Sequence, residues 1–513
     1  MKAMRKKHVV RLVTICLILA LMAGCEEKEE LPETGTETVE TTREQRETSA
    51  PERHSLYEGE TQYFYDQLSK EEKAFFYVLK KQAEAFYWGT QEPKTKETHK
   101  VEYRGVSYSG LNEKVTQGYF GNLELGTLTE MEAKKVAIVF YHSCPKYFFL
   151  SGMLVEEDGN YYMELLDGLT SREEIDSYRD KIEEKTQEWM KVIEKGENDL
   201  EKEEAILQLI YDNVEYDSSR SGEMLLRNGV TGGIGGALCD GLATVDGYAK
   251  TFQYLCNAAG LDSLIVWATA DSYNAWNMVK LYDDWYCIDV GWLDVIKMDS
   301  PADSQFNKAH DSFKKIGGYA SAQWMTDGRY ITLHIQLPQC IRDTVEGGPE
   351  LCSVQDEAGR YVIEHGLLTQ YQVEDGEVMI PANAMELDIP IVFSDEEIQE
   401  IRSFSVEEGS EYLCAEDGVL FDVSREKLMR YPNAGASEYV VPEGTKILSK
   451  MAFVYCSKLE TIHIPASITE IRYYAFGGCE SLKDIYFEGT KDQWDAIDQP
   501  YSGIPDYVTV HYQ

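Results

Sequence analysis

An internal repeat of 23 residues near the C-terminus is the feature that most restricts the fold of this chain. The segment VPEGTKILSKMAFVYCSKLETIHI, from residue 441, aligns with IPASITEIRYYAFGGCESLKDIYF, from residue 464. Six pairs of residues recur at this offset: Pro442 and Pro465, Ala452 and Ala475, Phe453 and Phe476, Cys456 and Cys479, Leu459 and Leu482, and Ile462 and Ile485. One such copy cannot bury its apolar side alone, so successive copies must stack. We therefore predict stacked turns, each with one short strand and apolar side chains in interior ladders.

The repeat resembles the leucine-rich repeats of the bacterial surface-antigen type, known as BspA-like repeats. Residues 417–432 (DGVLFDVSREKLMRYP) look like the degenerate hairpin of that family, and residues 486–497 (YFEGTKDQWDAI) look like its closing segment. On this resemblance we extend the array over residues 401–513, which we call the repeat region. The resemblance implies a leucine-rich-repeat β-solenoid whose exposed sheet contacts a protein or glycan ligand. It also implies that the two repeated cysteines are structural.

The N-terminus has the pattern of an export signal. Residues 1–24 carry five basic side chains, no acidic one and the apolar stretch VTICLILALMAG. A basic start, a short apolar core and small residues before a cleavage point define a secretory signal. The ending LMAGC resembles the lipobox of bacterial lipoproteins, which implies a lipid on Cys25 and anchoring on the extracellular side of the cell membrane. Ordinary cleavage beside an incidental cysteine is the alternative.

Charge and cysteine spacing exclude several kinds of function. The chain has 49 basic and 90 acidic residues and a formal charge of −41, which repels nucleic acid. Its 513 residues are too many for one core, so we expect several domains. The eleven cysteines are scattered, with no CxxC and no zinc-ligand spacing. The sequence therefore indicates no metal, no other cofactor and no disulfide framework.

The patterning along the chain predicts six segments. After the signal peptide (1–24) we expect a disordered acidic tether, because this stretch has almost no large apolar side chains. Then come an N-terminal α/β extension, a region that we call the motif region, a β-rich connector and the repeat region. The predicted bounds are 25–55 for the tether, 56–199 for the extension, 200–345 for the motif region, 346–400 for the connector and 401–513 for the repeat region.

The motif region has the order of an α+β domain. Its residues predict two helices, at 201–217 and 246–260, followed by three strands at 264–270, 275–282 and 285–292. The glycine-rich stretch TGGIGGALCDG (231–241) lacks the GK[ST] ending of a phosphate-binding loop, so we predict a flexible connector there.

The motif region also resembles the transglutaminase-like superfamily of papain-like enzymes. The resemblance is carried by AILQLIYDNVEYD (205–217), GYAKTFQYL (247–255), AWNMVKL (275–281) and WYCIDVGWLD (285–294). In that family, a cysteine that opens a helix, a histidine on the next strand and an aspartate on the following one form the catalytic triad. The resemblance places Val245, Asn274 and Asp289 at these positions, so only the aspartate has the expected type.

Loss of these two residue types predicts loss of the thiol chemistry. A triad nucleophile must be ionisable, and valine has no lone pair to donate. The base must take up a proton near pH 7, which an asparagine amide cannot do. Removing one triad member typically lowers turnover by about 10⁴–10⁶-fold. We therefore expect a pseudoenzyme.

Because of two cysteines, an active enzyme remains an alternative to the pseudoenzyme. Cys239 precedes Val245 by six residues, and Cys287 lies two residues from Asp289, on the same side of a predicted strand. Either could be the relocated thiol of a cysteine protease or acyltransferase, or a packing residue. A purely structural envelope protein without a dedicated ligand is the third hypothesis.

Three aromatic residues at motif positions are candidates for the lining of a cleft. Tyr248, Trp276 and Trp292 would suit a peptide or glycan, or would fill the core between helix and sheet. The favoured prediction is a lipid-anchored surface protein with an inactive transglutaminase-like domain and ligand-binding repeats. The sequence determines neither the ligand nor the oligomeric state.

Overall fold

The computed structural model describes most of the chain from residue 59 onward. The described residues are 59–103, 106–109, 114–217, 219, 229–269, 273–296, 307–309, 313, 323–324, 326–327, 331–332, 335–340, 345, 354–356, 358–364, 366–387, 398–499 and 501–513. The predicted signal peptide, Cys25 and the tether lie outside these residues. No helix among the described residues is long and apolar enough to cross a membrane.

The first part of the described chain consists of helices and a four-stranded antiparallel sheet. Three helices start with a capping box, in which a hydroxyl and a carboxylate three residues later satisfy each other's backbone N–H groups: Ser69 with Glu72, Thr129 with Glu132, and Ser171 with Glu174. The elements are α1 (Tyr63–Asp66), α2 (Lys70–Tyr87), β1 (Lys94–Thr98), β2 (Lys100–Tyr103), β3 (Val106–Ser109), β4 (Val115–Leu123), α3 (Glu130–Ser143), β5 (Leu150–Glu157), β6 (Asn160–Leu165) and α4 (Arg172–Ile193). The sheet has the order β1-β4-β6-β5.

The motif region places a buried helix against a four-stranded antiparallel sheet. Its elements are α5 (Asp199–Asn213), β7 (Glu215–Tyr216), β8 (Leu242–Ala243), α6 (Val245–Ala258), β9 (Ser263–Thr269), β10 (Tyr273–Leu281), β11 (Asp284–Ile288), α7 (Val290–Ile296), β12 (Gln323–Trp324), β13 (Thr326–Asp327) and β14 (Ile331–Thr332). The sheet has the order β11-β10-β9-β12. The amide of Asn277 on β10 donates to the carbonyl oxygens of Ala249 (2.9 Å) and Leu264 (3.2 Å), and so joins α6 to the sheet.

The prediction of a flexible connector at 231–241 is wrong. A 3₁₀ turn at Val230–Gly232 leads into this stretch, which forms a π-helix at Gly236–Asp240 and is mostly buried. A Cβ added at Gly236 would lie 2.5 Å from the Cα of Thr231. A Cβ at Gly247, on α6, would lie 2.2 Å from the Thr231 carbonyl oxygen. The glycines therefore allow the loop to pack closely on the helix.

The third predicted strand of the motif region also ends earlier than expected. β11 stops at Ile288, and α7 begins at Val290. Asp289 lies between them and caps the helix, since its Oδ1 accepts from the backbone N–H of Trp292 at 2.9 Å. Residues 289–292 thus form a strand-to-helix corner.

Short strands connect the motif region to the repeat region. They form a sheet of order β15-β16-β17-β19 and a parallel pair, β18 with β20. Their bounds are β15 (Val354–Gln355), β16 (Tyr361–Glu364), β17 (Leu367–Tyr371), β18 (Glu377–Ile380), β19 (Glu386–Leu387) and β20 (Ser403–Val406), with a 3₁₀ turn at Ile398–Glu400.

After β20, which lies at the start of the repeat region, this region forms an antiparallel hairpin and continues as parallel strands. β24, β26, β28 and β29 pair in parallel, with Ile462 opposite Ile485, as the 23-residue offset requires. Phe453 and Phe476 stack in the interior, with ring centroids 5.1 Å apart. The elements are β21 (Leu413–Glu416), β22 (Val419–Asp422), β23 (Lys427–Arg430), β24 (Glu438–Val440), β25 (Ile447–Leu448), β26 (Thr461–Ile464), β27 (Glu470–Ile471), β28 (Asp484–Phe487), α8 (Lys491–Asp495) and β29 (Thr509–Tyr512).

Candidate functional site

Val245 is the first residue of helix α6. Thr244 precedes it as the N-cap, and the Thr244 hydroxyl donates to the carbonyl oxygen of Thr231 at 3.3 Å. The Val245 side chain is partly buried and packs against the main hydrophobic core. A helix N-terminus favours a thiolate at this place, because the helix dipole stabilises negative charge. The isopropyl side chain of Val245 carries no charge that the helix dipole could stabilise.

The structure brings two of the three motif positions into direct contact. The Asn274 amide nitrogen, on β10, donates to Asp289 Oδ2 over 3.1 Å. The Asn274 amide oxygen accepts from the backbone N–H of Ala275 at 2.9 Å. Asn274 therefore bonds the carboxylate as a histidine N–H would, while its other polar atom is bound to the backbone.

Contacts to both oxygens of the Asp289 carboxylate fix its position. One oxygen caps α7, and the other accepts from Asn274. Only 2% of this residue is exposed, so a change that removes the amide donor would leave a buried oxygen without that bond. The carboxylate is well oriented, but it orients an amide and not a base.

Cys239 lies on the π-helix next to helix α4. Its Sγ donates to the carbonyl oxygen of Tyr178 at 3.8 Å. Burial raises the pKa of the thiol to about 12, and the neighbouring Asp240 carboxylate adds to this rise. A thiol with this pKa is almost entirely protonated at neutral pH, whereas a nucleophile must be a thiolate.

Cys287 lies on β11, between β10 and the backbone of Lys308, and is fully buried. Its Sγ is 3.7 Å from that of Cys340, a residue that no pattern in the sequence had singled out. The backbone N–H and carbonyl of Cys287 exchange hydrogen bonds with Lys308, at 2.8 and 3.0 Å. A substrate carbonyl cannot reach this sulfur without opening the sheet.

The three aromatic candidates have different surroundings. Tyr248 and Trp276 are buried in the core, and the Tyr248 hydroxyl donates to Asp294. Trp292 is partly buried, and its ring meets that of Tyr473 from the repeat region edge to face, with centroids 5.2 Å apart. Two of these side chains therefore fill the interior, and the third contacts the repeats.

Sequence reasoning did not find a buried acid in the motif region. Glu203 on α5 is fully buried, and its Oε2 accepts from the Asn307 amide at 2.7 Å. Burial raises the pKa of this carboxyl to about 8, the Asn307 hydrogen bond opposes the rise and Glu204 adds to it. The one signal available in the sequence was that Glu203 lies at helical spacing from the apolar residues on the buried face of α5.

Among the described residues, no group of three or more His, Cys, Asp or Glu side chains could hold a metal ion.

Comparison with known families identifies the repeats. The family described as "BspA type Leucine rich repeat region (6 copies)" matches residues 431–496. The prediction of BspA-like leucine-rich repeats is therefore confirmed for this segment. No curated protein matches the chain.

Solved structures similar to this chain include repeat proteins and a transglutaminase. The pneumococcal vaccine antigen PcpA is 23% identical (TM-score 0.17), over 21% of this chain and 29% of PcpA. A leucine-rich repeat protein from Eubacterium ventriosum is 16% identical (TM-score 0.18), over 27% of this chain and 48% of the other. A structure described as a TGase is 16% identical (TM-score 0.20), over 27% of this chain and 43% of the other. The chain thus spans less than half the length of each.

Proposed function

We propose that this chain is a lipid-anchored protein of the bacterial cell surface, with a catalytically inactive transglutaminase-like domain and repeats that bind a protein or glycan. The observation that carries the proposal is the hydrogen bond from Asn274 to Asp289, at the place where the resemblance expects a histidine and an aspartate. Val245 occupies the place of the nucleophile. The domain then keeps the polar frame of the triad without its reacting atoms.

The chemistry of the amide explains why this frame supports an inactive domain. A histidine bound to an aspartate through one ring nitrogen presents the other nitrogen to the nucleophile. Asn274 has its amide oxygen bound to the backbone N–H of Ala275, and an amide does not titrate near neutral pH. A proton released by any nucleophile would have no acceptor at this position.

The surroundings of the two candidate thiols also favour an inactive domain. The raised pKa of Cys239 keeps it protonated, and Cys287 is buried against Cys340. Cys239 is partly exposed but has a raised pKa, and Cys287 is fully buried, whereas an activated cysteine is accessible and has a lowered pKa.

The repeat region supplies a surface suited to ligand binding. Val440, His463, Tyr486 and His511 are opposite one another on four adjacent parallel strands. The rings of the last three stack, with centroids 4.9 and 4.5 Å apart. Val440 is 57% exposed and Tyr486 is 39% exposed. An ordered row of exposed apolar and aromatic groups is typical of an interaction surface.

Activity measurements test the inactive domain. We expect the purified chain to show no amine incorporation into glutamine substrates and no peptide hydrolysis above background. Cys239→Ala and Cys287→Ala variants should behave in the same way. Turnover that either substitution abolishes would overturn the proposal in favour of a relocated thiol.

Cell fractionation tests the anchor. Cys25→Ala should move the protein out of the membrane fraction, because it removes the atom that carries the lipid. Cys16→Ala, inside the signal peptide, is the matched control and should stay anchored. Equal distribution of the two variants would exclude lipidation at Cys25.

Binding measurements test the repeat surface. Immobilised mucin glycoprotein and a cell-wall preparation are suitable probes, and we expect Tyr486→Ala to weaken retention at least about tenfold if the row is a central contact. Tyr77→Ala, at a 67% exposed tyrosine on α2, should bind like the unmodified chain. No retention on either probe would favour the purely structural alternative.

A further inference from the structure

The motif region contains two buried sulfur atoms in contact. Cys287 is on β11, and Cys340 ends the described segment 335–340. Their Sγ atoms lie 3.7 Å apart, with exposures of 0% and 3%. We infer that Cys287 and Cys340 are the site of a disulfide bond, formed when the chain folds in the presence of a disulfide oxidant outside the cell. The inference rests on the proposed function for that location.

One partner of the pair is held rigidly. Cys287 lies opposite Met278 in the antiparallel pairing of β10 with β11. On its other side, its backbone exchanges two hydrogen bonds with Lys308. The Cys287 sulfur therefore has a nearly fixed position.

The other partner is on a segment that is anchored but irregular. Gln67 and Gln336 form a reciprocal pair: the Gln67 side chain accepts from the Gln336 N–H at 2.8 Å and donates to its carbonyl at 3.0 Å. Ile335 and Leu337 pack against the main core. These contacts bring Cys340 close to Cys287 although the two residues are 53 positions apart in the chain. A disulfide requires about 2.05 Å between the sulfurs, and a segment without regular hydrogen bonding can supply the remaining approach.

The reaction balances as ordinary thiol–disulfide exchange. One cysteine, as a thiolate, attacks a sulfur of a small-molecule disulfide and releases one equivalent of its thiol. The second cysteine then attacks the mixed disulfide, forms the Cys287–Cys340 bond and releases the second equivalent. The two cysteines are oxidised by two electrons, the small disulfide is reduced to two thiols, and the two cysteine protons end on those thiols.

Other cysteines have different partners. The Cys479 thiol donates to the carbonyl oxygen of Phe453 at 3.0 Å, and the Cys456 thiol lies 3.9 Å from that of Tyr431. These two residues have the same repeat spacing, but each is directed at the backbone. In the pair Cys287 and Cys340 the thiol hydrogen bond runs from sulfur to sulfur.

The bond would fix segment 335–340 to the sheet and remove the Cys287 thiol from any nucleophilic role. Because it would close a long loop of chain, it should restrict the unfolded state considerably. We expect the oxidised protein to melt roughly 5–10 °C above the reduced protein.

The test is to fold the full-length chain with a mixture of oxidised and reduced glutathione, then alkylate remaining thiols and map peptides without reduction. The expected result is one linked peptide pair that contains Cys287 and Cys340. Cys340→Ser should lose both the link and the oxidant-dependent rise in melting temperature. Cys256→Ala, at an equally buried cysteine on α6, should keep both.

Recovery of Cys287 and Cys340 as separately alkylated peptides after oxidative folding would overturn the inference, as would a link from either residue to another cysteine. Mapping of the unsubstituted chain decides the question even if a variant does not fold. The result does not depend on cellular location, so failure here is distinguishable from failure of the proposed function, which the Cys25→Ala and activity experiments test.

Discussion

The repeat region and the motif region obtain their order in different ways. In the repeats, partners across neighbouring turns are equivalent residues, as with Ile462 opposite Ile485 and Phe453 stacked on Phe476. In the motif region, the decisive contacts join unlike residues at unrelated separations, 15 positions for Asn274 and Asp289 and 104 for Glu203 and Asn307. A periodic sequence therefore specifies its own contacts, whereas a non-periodic one specifies them only through the completed fold.

The two regions also differ in what their buried polar groups do. Cys456 and Cys479 of the repeats donate to backbone carbonyls, as does the buried amide of Asn433. The motif region buries Asp289, Asn277 and Glu203 within its core. A buried polar group lowers the stability of a core unless it is hydrogen-bonded. Exceptions to an apolar core are typical of functional sites.

The largest expected effect breaks a ladder of the repeats. Phe476→Ala removes a fully buried ring stacked on Phe453 and should lower the free energy of unfolding by about 3–5 kcal/mol. Chemical denaturation measures this loss. Val440→Ala, at an exposed position of the same repeat region, should change it by less than about 0.5 kcal/mol. Equal losses in the two variants would contradict the stacked interior.

The next effect concerns a buried acid of the motif region and depends on pH. Burial raises the pKa of Glu203 in the folded state to about 8, whereas in the unfolded chain it is about 4.3. The stability that the protonated carboxyl contributes is fully present below about pH 4.3 and is lost as the pH rises through 8. Between pH 6 and pH 8 the unsubstituted chain should therefore lose about 2 kcal/mol relative to Glu203→Gln, which has no such titration.

Denaturation curves at several pH values measure the Glu203 effect. Glu188→Gln, on the surface of α4, is the control, and its stability should follow that of the unsubstituted chain. A pH-independent difference between Glu203→Gln and the unsubstituted chain would show that Glu203 does not titrate with a raised pKa.

A smaller effect tests the polar frame of the candidate site. Asn274→Ala removes the donor to the buried carboxylate of Asp289 and should destabilise the fold by about 1–2 kcal/mol. Gln208→Ala removes the same kind of amide-to-carboxylate bond, 2.9 Å long, from the exposed face of α5. That control should lose less than about 0.5 kcal/mol. Similar losses would mean that Asn274 does not satisfy a buried group.

The smallest effect measures the contact between the two regions. Trp292→Ala and Tyr473→Ala, alone and together, form a double-mutant cycle across their edge-to-face ring contact. We expect a coupling energy of about 0.5–1.5 kcal/mol in thermal or chemical unfolding. Strictly additive losses would indicate that the two rings do not interact in solution.

Much of the local structure of the chain follows from short-range patterns. The helix predicted at 246–260 forms as Val245–Ala258, with Thr244 at its N-cap. The predictions failed where distant packing decides. The glycines of 231–241 serve close contact with α6, and residues 289–292 turn a corner, because Asp289 caps a helix that periodicity does not show.

The candidate site divides in the same way. The resemblance in the motifs identified Val245, Asn274 and Asp289, and the structure joins the last two. No spacing rule pointed to Cys340 as the neighbour of Cys287, since that contact depends on how a segment 53 residues later crosses the sheet. The raised pKa of Cys239 likewise results from burial beside α4, which its sequence position does not reveal.

By itself, the amino-acid sequence determined the repeat period, the parallel register that follows from it and the residue types at the motif positions, because these are properties of spacing and side-chain chemistry. Tertiary structure alone decided that Asn274 binds Asp289, that Glu203 is buried and that two distant cysteines touch. The physical reason is that burial and non-local contact are set by the whole packed core, and no single segment carries that information.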